Sequence, residues 1–257
     1  MKIITWNVNG IRARHAQVEE LLALEQPDVV CLQEIKASPE QVPALLVAPD
    51  GYWSYWHGSG GYSGVALLIR RAMFPAQPAF AHPPFDFEHR IVTADLGRLL
   101  VASVYVPNGG KDYDAKLRFL HAFGTWAAET NAAREALVIC GDLNVAREER
   151  DVHPKERKAG QIGTRPEERT GLGVLFTSGF ADVGRALDPD NDELFTWWAP
   201  WRQRRQRNIG WRIDYVLAGG TLGERAATAA SRREYGTSDH APVVVTFGVD
   251  LPAGEVT

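Results

Sequence analysis

Cysteine is nearly absent from this 257-residue chain, which has only Cys31 and Cys140. Two thiols so far apart suggest neither a disulfide framework nor a zinc knuckle. Each lies in an apolar, branched run, where a free thiol packs as a small hydrophobe. Histidine is sparse as well, and its seven copies form no HxxxH or HxH pair, so spacing argues against zinc. No apolar run approaches the roughly 20 residues of a membrane-spanning helix. An excess of positive charge is missing too: 28 Lys and Arg stand against 32 Asp and Glu, a net charge of −4. That argues against a protein that coats nucleic acid non-specifically, but it leaves room for a local basic groove. No low-complexity linker or compositional break divides the chain, so a single domain over residues 1–257 is expected, with a loosely ordered tail after about residue 248. The N-terminus opens directly into a strand-like run carrying Trp6 and Asn7, which leaves no room for a signal peptide. A cytoplasmic location is expected.

What the chain does have is strand-like runs that end in polar chemistry. Leu137–Cys140 is a short apolar run that stops at Gly141-Asp142-Leu143-Asn144. Glycine there suits a turn or a close backbone approach, and Asp-x-Asn puts two oxygen-bearing side chains on one face. Lys2–Thr5 precedes Asn7, Asp28–Leu32 precedes Gln33 and Glu34, and Ile213–Leu217 carries Asp214 near its start. Asp239 and His240 stand just before Pro242–Phe247. Sites this scattered converge only if the strand ends meet, and together they would form one metal-dependent active site. Hard oxygen ligands without a cage of cysteines suit Mg²⁺ or Mn²⁺. Asp142 would take a proton from water while Asn144 fixes that water's direction. His240, oriented by a carboxylate, would meet a phosphate oxygen or leaving group. Asp214 suits that role better than Asp239, because a sequence neighbour points the wrong way along a strand. Plainer alternatives stand beside these: a solvated loop acid at Glu34, a turn pair at Asp142 and Asn144, and a core histidine at His240.

Periodicity predicts a helix over 10–25, a helix start at Ser38, a strand over 64–70, a hairpin of 91–96 with 99–106, and a helix over 112–133. Residues 74–84 read as a proline-rich loop. Residues 145–170, highly charged and poor in apolar residues, read as a long surface loop with one helical turn, and 174–180 as a short element. Ten or so strands are many for one open sheet, so two packed mixed sheets with helices outside are expected.

The segments Thr5–Arg12, Leu32–Glu34, Gly64–Ala66, Tyr105–Pro107, Gly141–Asn144, Trp211–Tyr215 and Ser238–Pro242 resemble, in order, those of the exonuclease III type of apurinic/apyrimidinic endonuclease, within the endonuclease/exonuclease/phosphatase superfamily. The resemblance runs from Lys2 to about Phe247. It implies an α/β fold, a four-layered αββα sandwich of two mixed β-sheets flanked by helices. It also implies Mg²⁺-dependent cleavage of duplex DNA 5′ to an abasic site, leaving a 3′-hydroxyl, with 3′-phosphodiesterase or 3′–5′ exonuclease action on blocked ends. By motif position Glu34 would be the main metal ligand, with Asn7, Asn9 and Asp239 around it. Asp142, Asn144, Tyr105, His240 and Asp214 would form the catalytic set. Some relatives carry Asp where this chain has Asn9, which lowers the ligand charge at that corner. Trp197, Trp211 and Ile213 would wall the pocket for the base-less sugar, and Lys111, beside Asn108, would enter the DNA groove. The enzyme is expected to act as a monomer.

Superfamily members also act on small and lipid phosphates, so the fold alone leaves the substrate open. The stretch Phe195–Asp214 discriminates, because it interleaves Trp197, Trp198, Trp201 and Trp211 with arginines that include Arg204, Arg205 and Arg207. Arginines among aromatics suit phosphate contacts and base stacking better than core packing. A catalytically dead DNA-binding relative is the third possibility, and the intact acids argue against it.

Overall fold

The computed structural model describes residues 1–248, so the expected loose tail lies outside the described residues. In chain order the strands are β1 (Lys2–Asn7), β2 (Val29–Gln33), β3 (Tyr52–His57), β4 (Val65–Arg70), β5 (Ala79–Ala81) and β6 (Ile91–Asp95). They continue as β7 (Leu99–Tyr105), β8 (Ala136–Asp142), β9 (Ala181–Asp182), β10 (Asp214–Ala218), β11 (Ala226–Ser231) and β12 (Val243–Phe247). The helices are α1 (Ile11–Glu25), α2 (Ala44–Val47), α3 (Tyr113–Ala133), α4 (Pro166–Thr177) and α5 (Val183–Leu187). The strands form two six-stranded mixed sheets, ordered β11-β12-β1-β2-β4-β3 and β5-β6-β7-β8-β10-β9.

Side-chain alternation explains the layers. In β1, Ile3 joins an apolar cluster between the sheets with Cys31, Leu67, Val101 and Cys140. Ile4 and Trp6, on the opposite face, pack with Val18 and Leu21 of α1. The second sheet does the same, turning Ala102, Val104 and Ile139 toward Phe119 and Phe123 of α3 and Leu172 and Leu175 of α4. With both faces covered, central strands become continuous apolar runs, which is why β2, β4 and β8 were legible in the sequence. Both cysteines are free and fully buried, and burial pushes the Cys31 thiol well above its ordinary pKa.

Two parallel crossovers, β1-α1-β2 and β7-α3-β8, bring strand ends to one edge. Asn7 is opposite Gln33, Tyr105 is opposite Asp142, and Asp142 is opposite Asp214 on antiparallel β10. Gly141 has φ 149°, and a Cβ there would sit 1.9 Å from the Val104 carbonyl oxygen. A close backbone approach thus requires glycine at this position.

Several expectations need correction. Residues 74–84 contain β5, and 174–180 include the last turn of α4. β3 and β11 were not anticipated. The largest correction is residues 145–170, which are packed rather than a surface loop: they hold two 3₁₀ turns and the start of α4, and they bury Val145, Ala146, Asp151, Val152 and Glu168. Their charges gave the misleading surface signal because they pair internally. Lys116 Nζ lies 2.5 Å from Glu168 Oε1, and both side chains are fully buried. Glu168 also accepts the backbone N–H of Gly163 and of Arg165.

Lys116→Met would strand the Glu168 charge and should cost about 3–5 kcal/mol. Adding Glu168→Gln removes that charge while keeping an acceptor, so the double variant should be more stable than Lys116→Met alone. Urea unfolding of the three proteins checks both outcomes.

Candidate active site

The strand ends meet in a cleft of about 360 Å³ lined by Glu34, Tyr105, Asn108, Asp142, Asn144, Trp197, Trp211, Ile213, Asp239 and His240. Gln161, Ile162 and Gly163 from the misread segment also line it. Strain marks the same edge: Asn9, Glu34 and Asn144 hold φ of 45°, 48° and 50°, a region costly for non-glycine residues.

Asn7 is the hub. Its amide nitrogen donates to Glu34 Oε1 at 3.0 Å and to Asp142 Oδ2 at 2.9 Å, linking an acid of each sheet. Tyr105 donates its hydroxyl to Glu34 Oε1 at 2.8 Å, and Lys36 Nζ stands 2.8 Å from Glu34 Oε2. Asn144 donates through its backbone N–H to Asp142 Oδ1 at 2.9 Å and through its amide to Asp142 Oδ2 at 3.2 Å. His240 Nδ1 lies 2.9 Å from Asp214 Oδ2, and Nε2 faces Asp142 Oδ2 across 3.7 Å. Asp214 is held in turn by the Thr196 hydroxyl at 2.6 Å. Asp239 accepts Asn9 Nδ2 at 2.8 Å and Trp197 Nε1 at 3.0 Å.

The charges follow from this packing. Burial, reinforced by the negative charges of Asp214 and Glu34, lifts Asp142 to about 7 against the opposing pull of His240 and Asn7. Burial works against the His240 imidazolium, but Asp214 and Asp142 outweigh it and raise His240 to about 10. Burial also raises Glu34, yet hydrogen bonds from Lys36 and Asn7 leave it below its ordinary value. Burial and the neighbouring Glu34 and Asp142 charges push the Tyr105 phenol well up, so it stays a proton donor. At neutral pH the site thus holds a buried cation, an ionised acid and an acid near its midpoint.

Glu34, Asp142 and His240 offer ligand atoms within 4.8 Å of one another. His240 has its Nδ1 on Asp214 and a raised pKa, which leaves carboxylates as the ligands on offer, and the unfavourable burial of Asp142 beside other acids is what a divalent cation would relieve. A set of hard oxygens fits Mg²⁺ or Mn²⁺. The Asn7 amide presents its nitrogen to these acids, and ligation by its oxygen would require it to turn over.

Residues 4–240 match the model of one protein family, described as Endonuclease/Exonuclease/phosphatase. The chain belongs to this family. Within it, the chain is a DNA repair nuclease of the apurinic/apyrimidinic endonuclease and exonuclease III type. It is 34% identical over 260 residues to the DNA repair nuclease APEX1 of Danio rerio, covering 97% of this chain and 83% of that protein. It is 32% identical over 256 residues to an exodeoxyribonuclease of Bacillus subtilis, covering 97% and 100%. It also matches Recombination repair protein 1 of Drosophila melanogaster at 32% identity, with 97% of this chain spanning 37% of that longer protein. Among solved structures, an AP endonuclease from Archaeoglobus fulgidus superposes with TM-score 0.87 at 30% identity, covering 97% and 100% of the two chains. The Neisseria 3′ phosphatase NExo, bound to a product DNA hairpin, superposes with TM-score 0.88 at 29% identity, again over 97% and 100%.

The basic stretch of this family member differs from expectation. Arg205 donates to the backbone carbonyls of Arg233, Tyr235, Gly236 and Ser238. Arg204 Nη1 pairs with Glu156 at 2.9 Å. Both are occupied inside the protein, and of the three proposed phosphate-binding arginines only Arg207 stays well exposed. Lys111 lies outside the cleft, in a neighbouring depression with Asn108, Tyr62 and Arg90. Lys36, Gln161 and Ile162 carried no recognisable motif. Only the left-handed backbone of Lys36, which sequence does not reveal, sets it apart.

His240 and Asp142 both have raised pKa values, so at these two sites the folded chain keeps its protons to higher pH than the unfolded one. The His240 contribution to stability is complete below about pH 6.5 and is lost as pH rises through about 10, while the cost of ionising buried Asp142 grows from its ordinary 3.8 up to about 7 and stays in full above that. Asp214→Asn should lower the His240 midpoint by more than about one unit and flatten the alkaline loss of stability. Imidazole NMR titration and pH-dependent unfolding without divalent cations check this.

Proposed function

We propose that this nuclease hydrolyses the phosphodiester 5′ to abasic sites in duplex DNA, leaving a 3′-hydroxyl, and trims blocked 3′ ends with the same residues. It acts as a monomer with Mg²⁺, for which Mn²⁺ substitutes. The observation that carries this reading is the placement of Asp142 and the Asp214-paired His240 across 3.7 Å, in a cleft walled by Trp197, Trp211 and Ile213.

Asp142, poised near neutrality, accepts a proton from the attacking water. Asn144 commits its amide hydrogens to Asp142 and to the Val106 carbonyl, which leaves its oxygen to direct that water. The His240 imidazolium and the Tyr105 hydroxyl stabilise charge that develops on the phosphorane. A bound cation, held by Glu34 with Asn7, Asn9 and Asp239 around it, would supply Lewis-acid polarisation of the phosphate. Trp197 and Trp211 meet edge to face, with centroids 6.1 Å apart and planes at 87°. Such rigid walls favour a bare sugar, which is also the cheaper nucleotide to extrude, since it has lost its stacking partner.

Asp142→Asn should abolish incision of a duplex with one abasic site while leaving its DNA affinity near wild type. Near-normal turnover would remove Asp142 from the mechanism. Trp211→Ala should raise cleavage of intact duplex relative to abasic duplex. Trp211 is 6% exposed and packs on Ala146, Val152 and Ile213, so melting temperature must be measured beside the ratio. A stability loss of about 3–5 kcal/mol with an unchanged ratio would make Trp211 a core residue only.

A further inference from the structure

Away from the cleft, the fold assembles a second group of ligand atoms that no sequence spacing revealed. His57 ends β3, the outermost strand of one sheet, and His82 follows β5, the outermost strand of the other. Asp86 comes from the loop beyond. One ligand atom each from His57, His82 and Asp86 lies within 4.8 Å of the others. His57 Nε2 is 2.6 Å from Asp86 Oδ2, and the His57 and His82 rings stack with centroids 3.8 Å apart. A third imidazole, His89, stands 4.6 Å from His57, centroid to centroid, on a turn where Glu88 and His89 both hold left-handed φ, 56° and 58°.

We propose that His57, His82 and Asp86 form a zinc-class metal site that clasps free edges of the two sheets, with water completing the coordination. Two imidazoles and one carboxylate are a borderline donor set that favours Zn²⁺ over Mg²⁺, the reverse of the oxygen-rich cleft. Tetrahedral zinc with bonds of about 2.0–2.1 Å sets its ligand atoms about 3.3 Å apart. His57 Nε2 and Asp86 Oδ2, hydrogen-bonded at 2.6 Å, would part to admit the ion, and the exposed His82 would turn its Nε2 away from the Tyr55 hydroxyl, which it meets at 3.1 Å. Binding replaces the hydrogen bond between His57 and Asp86, as metals do when they displace protons from their ligands. The carboxylate is held from behind: Asp86 Oδ1 accepts the backbone N–H of Arg90 at 2.8 Å and of Ile91 at 3.1 Å. Such support orients a ligand for metal. The seam also has an apolar half, where Tyr55 of β3 stacks on Phe80 of β5 with centroids 5.0 Å apart. Through Arg90, whose guanidinium lies 4.9 Å from the Tyr105 ring centroid, the clasp borders the wall of the cleft.

The test uses full-length protein equilibrated with Zn²⁺, dialysed against excess Mg²⁺ and analysed for bound metal, with Co²⁺ absorption as a probe of tetrahedral geometry. Wild type and Glu34→Gln should each retain one zinc and melt at a higher temperature with it. His82→Ala, which alters an exposed side chain, should melt like metal-free wild type, lose the zinc-dependent shift and bind zinc more than about tenfold more weakly. Asp86→Asn, which keeps an acceptor for Arg90, should lose zinc too. Two results would overturn the proposal: no zinc retained by wild type, or zinc lost in Glu34→Gln but kept in His82→Ala. Neither depends on nuclease activity, so they stand apart from the function proposed above.

Discussion

Carboxylates that repel one another are held together, largely out of water, where the two sheets meet. Glu34 comes from one sheet, Asp142 and Asp214 from the other, and Asp239 from the loop leading into β12. Like charges this close raise each other's pKa, and the folded chain tolerates them because each has its own donor. Lys36 neutralises Glu34, the His240 imidazolium lies between Asp214 and Asp142, and Asn9 and Trp197 satisfy Asp239. Asp142 accepts hydrogen bonds from Asn7 and Asn144 and faces the His240 imidazolium across 3.7 Å, yet these do not outweigh its burial beside Asp214 and Glu34. That shortfall keeps a fully buried acid near its midpoint at neutral pH, the condition a general base needs.

Such an arrangement needs a backbone that cannot relax. Regular strands fix which residues are opposite one another, so Tyr105, Asp142 and Asp214 are neighbours by register and not by loop conformation. Beyond the strands, the chain enters left-handed conformations at Asn9, Glu34 and Asn144. Each costs on the order of 1–3 kcal/mol. The strain persists because packing on both faces of each sheet leaves these turns no alternative path. Rigid elements thus carry the acids, and short strained turns aim them.

The acids and the layered fold were legible because both depend on local pattern. Buried strands show as apolar runs, and the polar residues that end β8 and β2 interrupt those runs abruptly. Pairings that depend on the third dimension were hidden. Asp151, Glu168 and Arg212 look like surface charge, because a residue's polarity says nothing about whether a partner is buried beside it. Arg205 looked like a phosphate ligand for the same reason, yet it caps four carbonyls of the 233–238 turn. The edge strands β3 and β5 were lost because half-exposed strands lack continuous apolar character. The histidines they gather escape ligand spacing, which detects only local metal sites.

Residues 145–170 also explain how the aromatic wall of the cleft keeps its shape. Arg212 forks across two buried acids, reaching Asp151 at 2.8 Å and Asp182 at 2.8 and 2.9 Å, while Arg185 adds a second cation on Asp151 at 2.9 Å. Its backbone N–H bonds to the Asp151 carbonyl at 2.8 Å. Arg212 lies between Trp211 and Ile213, both in the cleft wall, and Asp214, the partner of His240, follows directly. Moving that fork would shift the wall and the Asp214–His240 pair together. From the other side, Gly163 lets the segment press against Trp211: a Cβ there would meet the indole at 3.0 Å, and Glu168 pins the Gly163 amide. Charges that resemble a solvated loop are therefore the buttress of an aromatic pocket. A buried ionic network is a poor source of net stability but a good source of unique geometry. A wall held in this way keeps one shape, which is what the proposed exclusion of a base would require of it.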